Sequence, residues 1–188
     1  MKEQHVIDYN SYYQRLLSGV RATWNDLRKS RPEESVYLFG LSTDSDTVVL
    51  SLFANTEEQF ALENDSPEYP IEKWYVNEES ELHRIGRAHM DDLEDEINRY
   101  VFEPESDDAF DDRKARLMQM FERVFVELDS EGLFGEGEMR HKVMLMLEIV
   151  DAGDEEWDSM IEVLKRINPP ESVKEYLQLL EAMRESDD

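Results

Sequence analysis

Three short runs, "VYLFGL" (36–41), "TVVLSLF" (47–53) and "KVMLMLEIV" (142–150), are apolar on nearly every residue. A half-exposed strand alternates polar with apolar, and a surface helix shows an apolar stripe every three or four residues. A run with neither pattern has to be covered on both faces. At this length the runs read as strands. The link "STDSD" (42–46) is polar, short and turn-prone, so the first two runs pair as a β-hairpin. "KVMLMLEIV" reads as a central strand. The chain must therefore build a small sheet and find helices to cover it.

Those helices are visible as periodic patterns. Over residues 8–29, Tyr13, Leu16, Leu17, Val20, Trp24 and Leu27 share one helical face, and Pro32 disfavours helix at Arg31. "ANTEEQFALEN" reads as a short helix, with Thr56 and Gln59 at capping-box spacing and Asn55 as a competing cap. "DSPEYPIEKWYVNEE" is irregular, with prolines at 67 and 70 and a candidate short strand in "KWYV" (73–76). A helix over 79–101 turns Leu82, Ile85, His89, Leu93, Ile97 and Tyr100 inward. Another over 109–131 turns in Phe110, Leu117, Phe121, Val124, Phe125 and Leu128. Gly132 is its left-handed stop, and Leu128 and Leu133 stand where a Schellman motif places its hydrophobic pair. Asp154 caps a helix over 155–166, "NPP" ends it, and a last helix covers 171–184. The expected fold is α+β in a single domain, 1–188. Its small, mainly antiparallel sheet comprises the 36–53 hairpin and the central 142–150 strand, packed by four or five helices.

Composition narrows the function classes. Hydrophobic residues make up 40% of the chain, enough for a core despite 35% charged residues. Forty-six Asp and Glu against 20 Lys and Arg give a formal charge of −26. Such a chain repels phosphate backbones and anionic membrane surfaces, and it permits a cationic partner. The same acidity also serves solubility or a salty habitat. With no cysteine, disulfides, thiolate metal sites and Cys–His catalysis are excluded. The N-terminus has no apolar signal core, and no apolar run approaches the roughly 20 residues of a membrane span, so a cytoplasmic location is expected.

Motifs for chemistry are weak. "GLFGEG" (132–137) resembles a phosphate loop only in its glycines. A phosphate loop runs from strand to helix N-terminus, whereas here the order is helix, glycines, strand, with Glu136 and Glu138 at the loop. His83 and His89 are six apart, about 120° out of register on a helix, and His89 reads as a core histidine. There is no G-x-S-x-G elbow and no calcium-loop spacing. No catalytic, cofactor-binding or metal-binding residue is assigned, and no cofactor is expected.

Two stretches are candidates for protein binding. Residues 91–112 carry Asp91, Asp92, Glu94, Asp95, Glu96, Glu103, Glu105, Asp107, Asp108, Asp111 and Asp112 against one base, Arg99. This is either a polar helix face with a hydrated loop or a docking surface for a basic protein, effective at low salt. Tyr69, Trp74 and Tyr75 are either a satellite core under a loop or a partner-facing patch.

Several stretches together resemble one bacterial family, domain of unknown function 4303. They are "VYLFGLSTD", "ANTEE", "KWYV", "GLFG" followed by Arg140, the strand ending in "IVD", and "NPP". Their order and spacing match over residues 10–180. Tyr69 stands where many relatives have a tryptophan ahead of the one matching Trp74. The resemblance implies an α+β fold. It also implies an immunity-type binding role, since similar proteins are associated with bacterial toxin-immunity gene neighbourhoods. It carries over no catalytic residue. The leading reading is a non-enzymatic module of immunity or antitoxin type that docks a basic partner such as a toxin. The alternatives are an enzyme with a carboxylate or Arg140 site, and an acidic housekeeping protein.

Overall fold

The computed structural model describes residues 8–63, 70–101 and 107–186. The elements in order are α1 (Tyr9–Ser30), β1 (Val36–Thr43), β2 (Ser51–Thr56), α2 (Glu57–Glu63), a 3₁₀ turn (Pro70–Trp74), α3 (Arg87–Val101), α4 (Asp107–Ser130), a second 3₁₀ turn (Gly137–Lys142), β3 (Met144–Ile149), α5 (Asp154–Ile167) and α6 (Pro170–Ser186). This is the expected α+β class. No described helix is long and apolar enough to cross a membrane.

The sheet has the order β2-β1-β3, so β1 is its central strand and β3 an edge. That corrects the central position expected for 142–150. The hairpin pairs antiparallel and β3 pairs parallel to β1, making the sheet mixed. An apolar run marks a strand covered on both faces; it does not mark a strand with neighbours on both edges. β3 is covered at its edge by a side chain instead. Asn168 Oδ1 accepts the Leu145 N–H at 2.8 Å, and Asn168 Nδ2 donates to the Leu145 carbonyl at 2.8 Å. The amide thus supplies both bonds that a neighbouring strand would supply at that residue.

Two cores flank the sheet. Phe39, Leu41, Leu52, Ala54, Leu145 and Leu147 join α1, α3 and α4 on one face. Tyr37, Leu38, Phe53, Met144 and Met146 join α6 and the first 3₁₀ turn on the other. A bulge between Val36 and Leu38 breaks the alternation of β1. Val36 and Phe39 therefore share one core while Tyr37 and Leu38 share the other.

Local signals set most helix ends. Asp8 caps α1 through bonds from Asn10 and Ser11 N–H. Thr56 Oγ1 accepts the Gln59 N–H at 3.0 Å and caps α2. Asn55 takes the Thr56 N–H instead of competing for the cap. At the end of α4, Gly132 sits at φ +77. Leu133 N–H bonds to the Leu128 carbonyl and Gly132 N–H to the Asp129 carbonyl, the complete Schellman pair.

Four boundaries differ from expectation. The second strand runs Ser51–Thr56, not 47–53, so residues 44–50 form the connection and 54–56, expected to open a helix, close the strand. "KWYV" is not a strand: Lys73 and Trp74 close the first 3₁₀ turn. Asp154 is not the cap of α5; Gly153 is, with its N–H bonded to Glu156 Oε2 at 2.9 Å. α3 begins at Arg87, not 79. Ala54 N–H bonds to the Leu82 carbonyl and Ile85 N–H to the Leu52 carbonyl, so this segment pairs with the outer edge of β2. Gly86, at φ +69, then redirects the chain into the helix. Leu82 and Ile85 still face the core, but from a turn.

Candidate functional site

The acids expected to form a docking surface lie on α3 and the start of α4. Asp91, Asp92, Asp95, Asp111 and Asp112 are exposed, and Glu94 and Glu96 are half-buried. Three have ion-pair partners: Asp91 with Arg87 at 3.5 Å, Glu94 with Arg84 at 3.5 Å and Glu96 with Arg15 at 2.6 Å. Asp92, Asp95, Asp111 and Asp112 have none among the described residues. The two helix ends meet where Arg113 Nη1 donates to the Tyr100 carbonyl at 2.6 Å. Asp107 and Asp108 open α4, but their side chains lie outside the described residues, as do Glu103, Glu105 and Tyr69.

The structure separates the aromatic candidates from these acids. Trp74 is 5% exposed, packed edge-on against Tyr37 and Tyr176 in the second core. It belongs to a satellite core, not to a partner-facing patch. Tyr75 is 45% exposed. Both lie on the α6 face of the sheet, whereas α3 and α4 cover the opposite face. One further expectation is corrected. His89 is not a core histidine: in the first turn of α3 it lies at the surface, with Nε2 3.0 Å from Asp26 Oδ2. Arg140 is only 6% exposed, and its guanidinium bonds to Asp129, Asn168 and the carbonyls of Val143 and Ile167. That is a structural fork with little left for a substrate. Among the described residues, no group of three or more His, Asp or Glu is placed to hold a metal ion.

Several concavities went unassigned from the sequence, among them a large cleft and a small cavity. The larger is a cleft of about 800 Å³ at the start of β1. It is lined by Val36 and Tyr37, by Lys73 and Trp74, by Leu133, Phe134 and Gly135, and by Glu171 just beyond "NPP". Segments that carry the family resemblance thus meet around one opening. Its rim holds Arg28, Lys142 and His141 beside Glu33, Glu57 and Glu175. Lys73 is pinned there, with Nζ 3.4 Å from Glu57, 3.7 Å from Glu175 and 5.1 Å from the centre of the Tyr37 ring. No sequence pattern foretold this cleft, because its lining comes from six separate stretches.

The smaller concavity is a half-open cavity of about 30 Å³ beside β3, lined by Tyr75, Trp157, Tyr176, Met146, Met160, Leu164 and Glu148. Strand alternation sends Glu148 to the same face as Met144 and Met146, both in the second core. Burial pushes its carboxyl above the ordinary glutamate value, and a hydrogen bond from Ser42 offsets this only in part. Burial, with the Glu148 charge as a lesser cause, raises Tyr75. Burial chiefly raises Tyr176 as well. A carboxyl raised in the folded state binds its proton more tightly there than in the unfolded chain. Its contribution to stability is complete below the ordinary value of 4.5 and is lost as pH rises through the raised one. Glu148→Gln is therefore expected to have a higher urea midpoint than the wild type at pH 7, the gap closing as pH falls below 4.5. A pH-independent gap would argue against a desolvated carboxylate. The sequence did carry this signal, as the one acid in "MLMLEI".

No curated protein and no solved structure matches the chain. A family model does match it, over residues 16–169, most of the sequence and all three strands. The chain belongs to the family described as domain of unknown function (DUF4303).

Proposed function

We propose that the protein is a non-catalytic binding module that docks a basic protein, and that it acts inside a bacterial cell as an immunity or antitoxin type of partner. The observation that carries this reading is the unpaired acidity of Asp92, Asp95, Asp111 and Asp112, exposed on two helices whose ends meet. In a chain of charge −26 these groups add to a field that steers cationic partners. The immunity assignment rests on the family resemblance. Arg140 being consumed by structural bonds weighs against the enzymatic alternative that invoked it.

The test uses a variant with Asp91, Asp92, Asp95, Asp111 and Asp112 all changed to Asn. The basic protein retained by the wild type at low salt is expected to associate with the variant about tenfold or more slowly. Raising the salt should erase the difference. Equal on-rates at low salt would remove the docking surface from α3 and α4. Co-expression of the wild type, but not of the variant, is expected to restore growth of cells producing that basic protein.

A second reading is favoured by one observation, the cleft at the start of β1. Its volume of about 800 Å³ and mixed lining suit a small polar ligand. A metabolite that raises the melting temperature of the wild type and not of Lys73→Met would establish it.

A further inference from the structure

The Glu148 cavity is an anomaly in an otherwise regular core. β3 presents Met144 and Met146 to the second core, and the next residue on that face is a carboxylate. A mostly buried carboxylate usually faces a cation or several donors. Glu148 has the Ser42 hydroxyl and no ion-pair partner among the described residues. No lysine or arginine lines the cavity. Its walls are aromatic instead, formed by Tyr75, Trp157 and Tyr176, with Met160 and Leu164 beside them. The mouth is open, and Tyr75 stands 45% exposed.

Aromatic faces attract cations through the ring quadrupole, more strongly where water is excluded. A carboxylate beside such faces favours a cationic ligand over a neutral or anionic one. Apolar walls suit a methylene stem and an ionic floor suits the charge at its end. A cavity of about 30 Å³ has room for one or two water-sized groups. That admits a terminal primary ammonium, its stem lying across the open mouth, and excludes a trimethylammonium head.

We propose that this cavity is a docking pocket for a lysine side chain of a partner protein, with Glu148 as counter-ion and the rings of Tyr75, Trp157 and Tyr176 as walls. The proposal deepens the docking reading and rests on it, since it names one side chain of the basic partner. It places that contact on the opposite face of the sheet from α3 and α4. A lysine entering the pocket supplies the charge partner that Glu148 lacks.

The test needs no partner protein. The full chain is labelled with 5-fluorotryptophan, giving ¹⁹F signals for its three tryptophans, with Trp157 assigned through Trp157→Phe. The probe is Nα-acetyl-lysine methylamide. Its controls are the norleucine counterpart, which keeps the stem without the charge, and the trimethyl-lysine counterpart. The lysine probe is expected to shift the Trp157 signal saturably, leaving Trp24, in the core on the other face of the sheet, in place. Both controls, and Glu148→Gln with the lysine probe, are expected to bind about tenfold more weakly or worse. Tyr75→Ala, which removes an exposed wall, is expected to weaken binding about threefold or more. An unmoved Trp24 signal reports that each variant is folded. The proposal is overturned by a Trp157 signal that does not move, by norleucine binding as well as lysine, or by Glu148→Gln binding as well as the wild type. Failure here with loss of partner capture by the acid-face variant would sink the pocket alone. Lysine binding with unchanged capture by that variant would sink the acidic docking face alone.

Discussion

Arg140→Ala is expected to lose about 3–5 kcal/mol of stability, read as a fall in the urea midpoint at unchanged slope. A domain of this kind holds about 5–15 kcal/mol in all, so the variant would be marginal at best. The reason is the number of groups that converge on one guanidinium. Nε donates to Asp129 on α4, Nη1 to the Val143 carbonyl ahead of β3, and Nη2 to the Ile167 carbonyl at 3.1 Å and Asn168 Oδ1 at 3.3 Å. Truncation strands two buried carbonyls and leaves the half-buried Asp129 carboxylate without its partner. It also loosens Asn168, which caps the edge of β3 at Leu145. Arg140→Lys is expected to recover less than half the loss, because a single ammonium cannot serve acceptors spread over three elements. Combining Arg140→Met with Asp129→Leu is expected to be milder than Arg140→Ala, since the orphaned charge is removed together with its partner. A midpoint near wild type for Arg140→Ala would mean that α5 and β3 are held without the fork.

Phe39→Ala is expected to cost about as much, roughly 3–5 kcal/mol, for a different reason. Phe39 is fully buried on the central strand. Its ring lies edge-on to Trp24 at 5.2 Å and to Phe125 at 6.4 Å, and tilted against Phe134 at 5.8 Å. Those three rings come from α1, α4 and the loop after α4, so one side chain joins the sheet to its main helical cover. Deleting it opens a cavity that four elements would have to close together, which rigid secondary structure resists. Phe39→Leu, which keeps most of the volume, is expected to cost about 1.5 kcal/mol or less. The near-ultraviolet circular dichroism of Trp24 should weaken in the alanine variant. A loss below about 1 kcal/mol would show that the aromatic cluster collapses around the gap.

The candidate sites were legible only where a single residue broke a local rule. Glu148 interrupts an apolar strand, and that interruption can be read directly from "MLMLEI". Tyr75, Trp157 and Tyr176 gave no comparable signal, because nothing in their own neighbourhoods says that three rings will surround that carboxylate. The acids of α3 and α4 were legible as a cluster, but not which of them are paired. Glu96 is answered by Arg15, far away in sequence, while Asp92 and Asp95 have no such partner among the described residues. Trp74 illustrates the reverse. An aromatic in an irregular, proline-bounded segment suits an exposed loop as well as a core, and its contacts with Tyr37 and Tyr176 placed it inside.

What could be derived without coordinates was whatever depends on neighbours within about one helical turn or one tight turn. The stripe from Tyr13 to Leu27, the Thr56 cap and the Gly132 stop all belong to that class and stand; the antiparallel hairpin stands as a pairing, with its second strand moved from 47–53 to Ser51–Thr56. The start of α3 escaped because Leu82, Ile85 and His89 keep helical spacing while the edge of β2 offers Leu82 and Ile85 better hydrogen bonds. Strand order escaped for a stronger reason. Side-chain pattern specifies which faces of a strand are buried, but not which edge meets which. The parallel pairing of β1 with β3, from Leu38 and Met144 to Thr43 and Ile149, links segments a hundred residues apart. It is set by how α4 and α5 pack and by the Arg140–Asn168 bonds that hold β3 in place. Those forces act through space between distant segments, so they become visible only when the whole chain has folded.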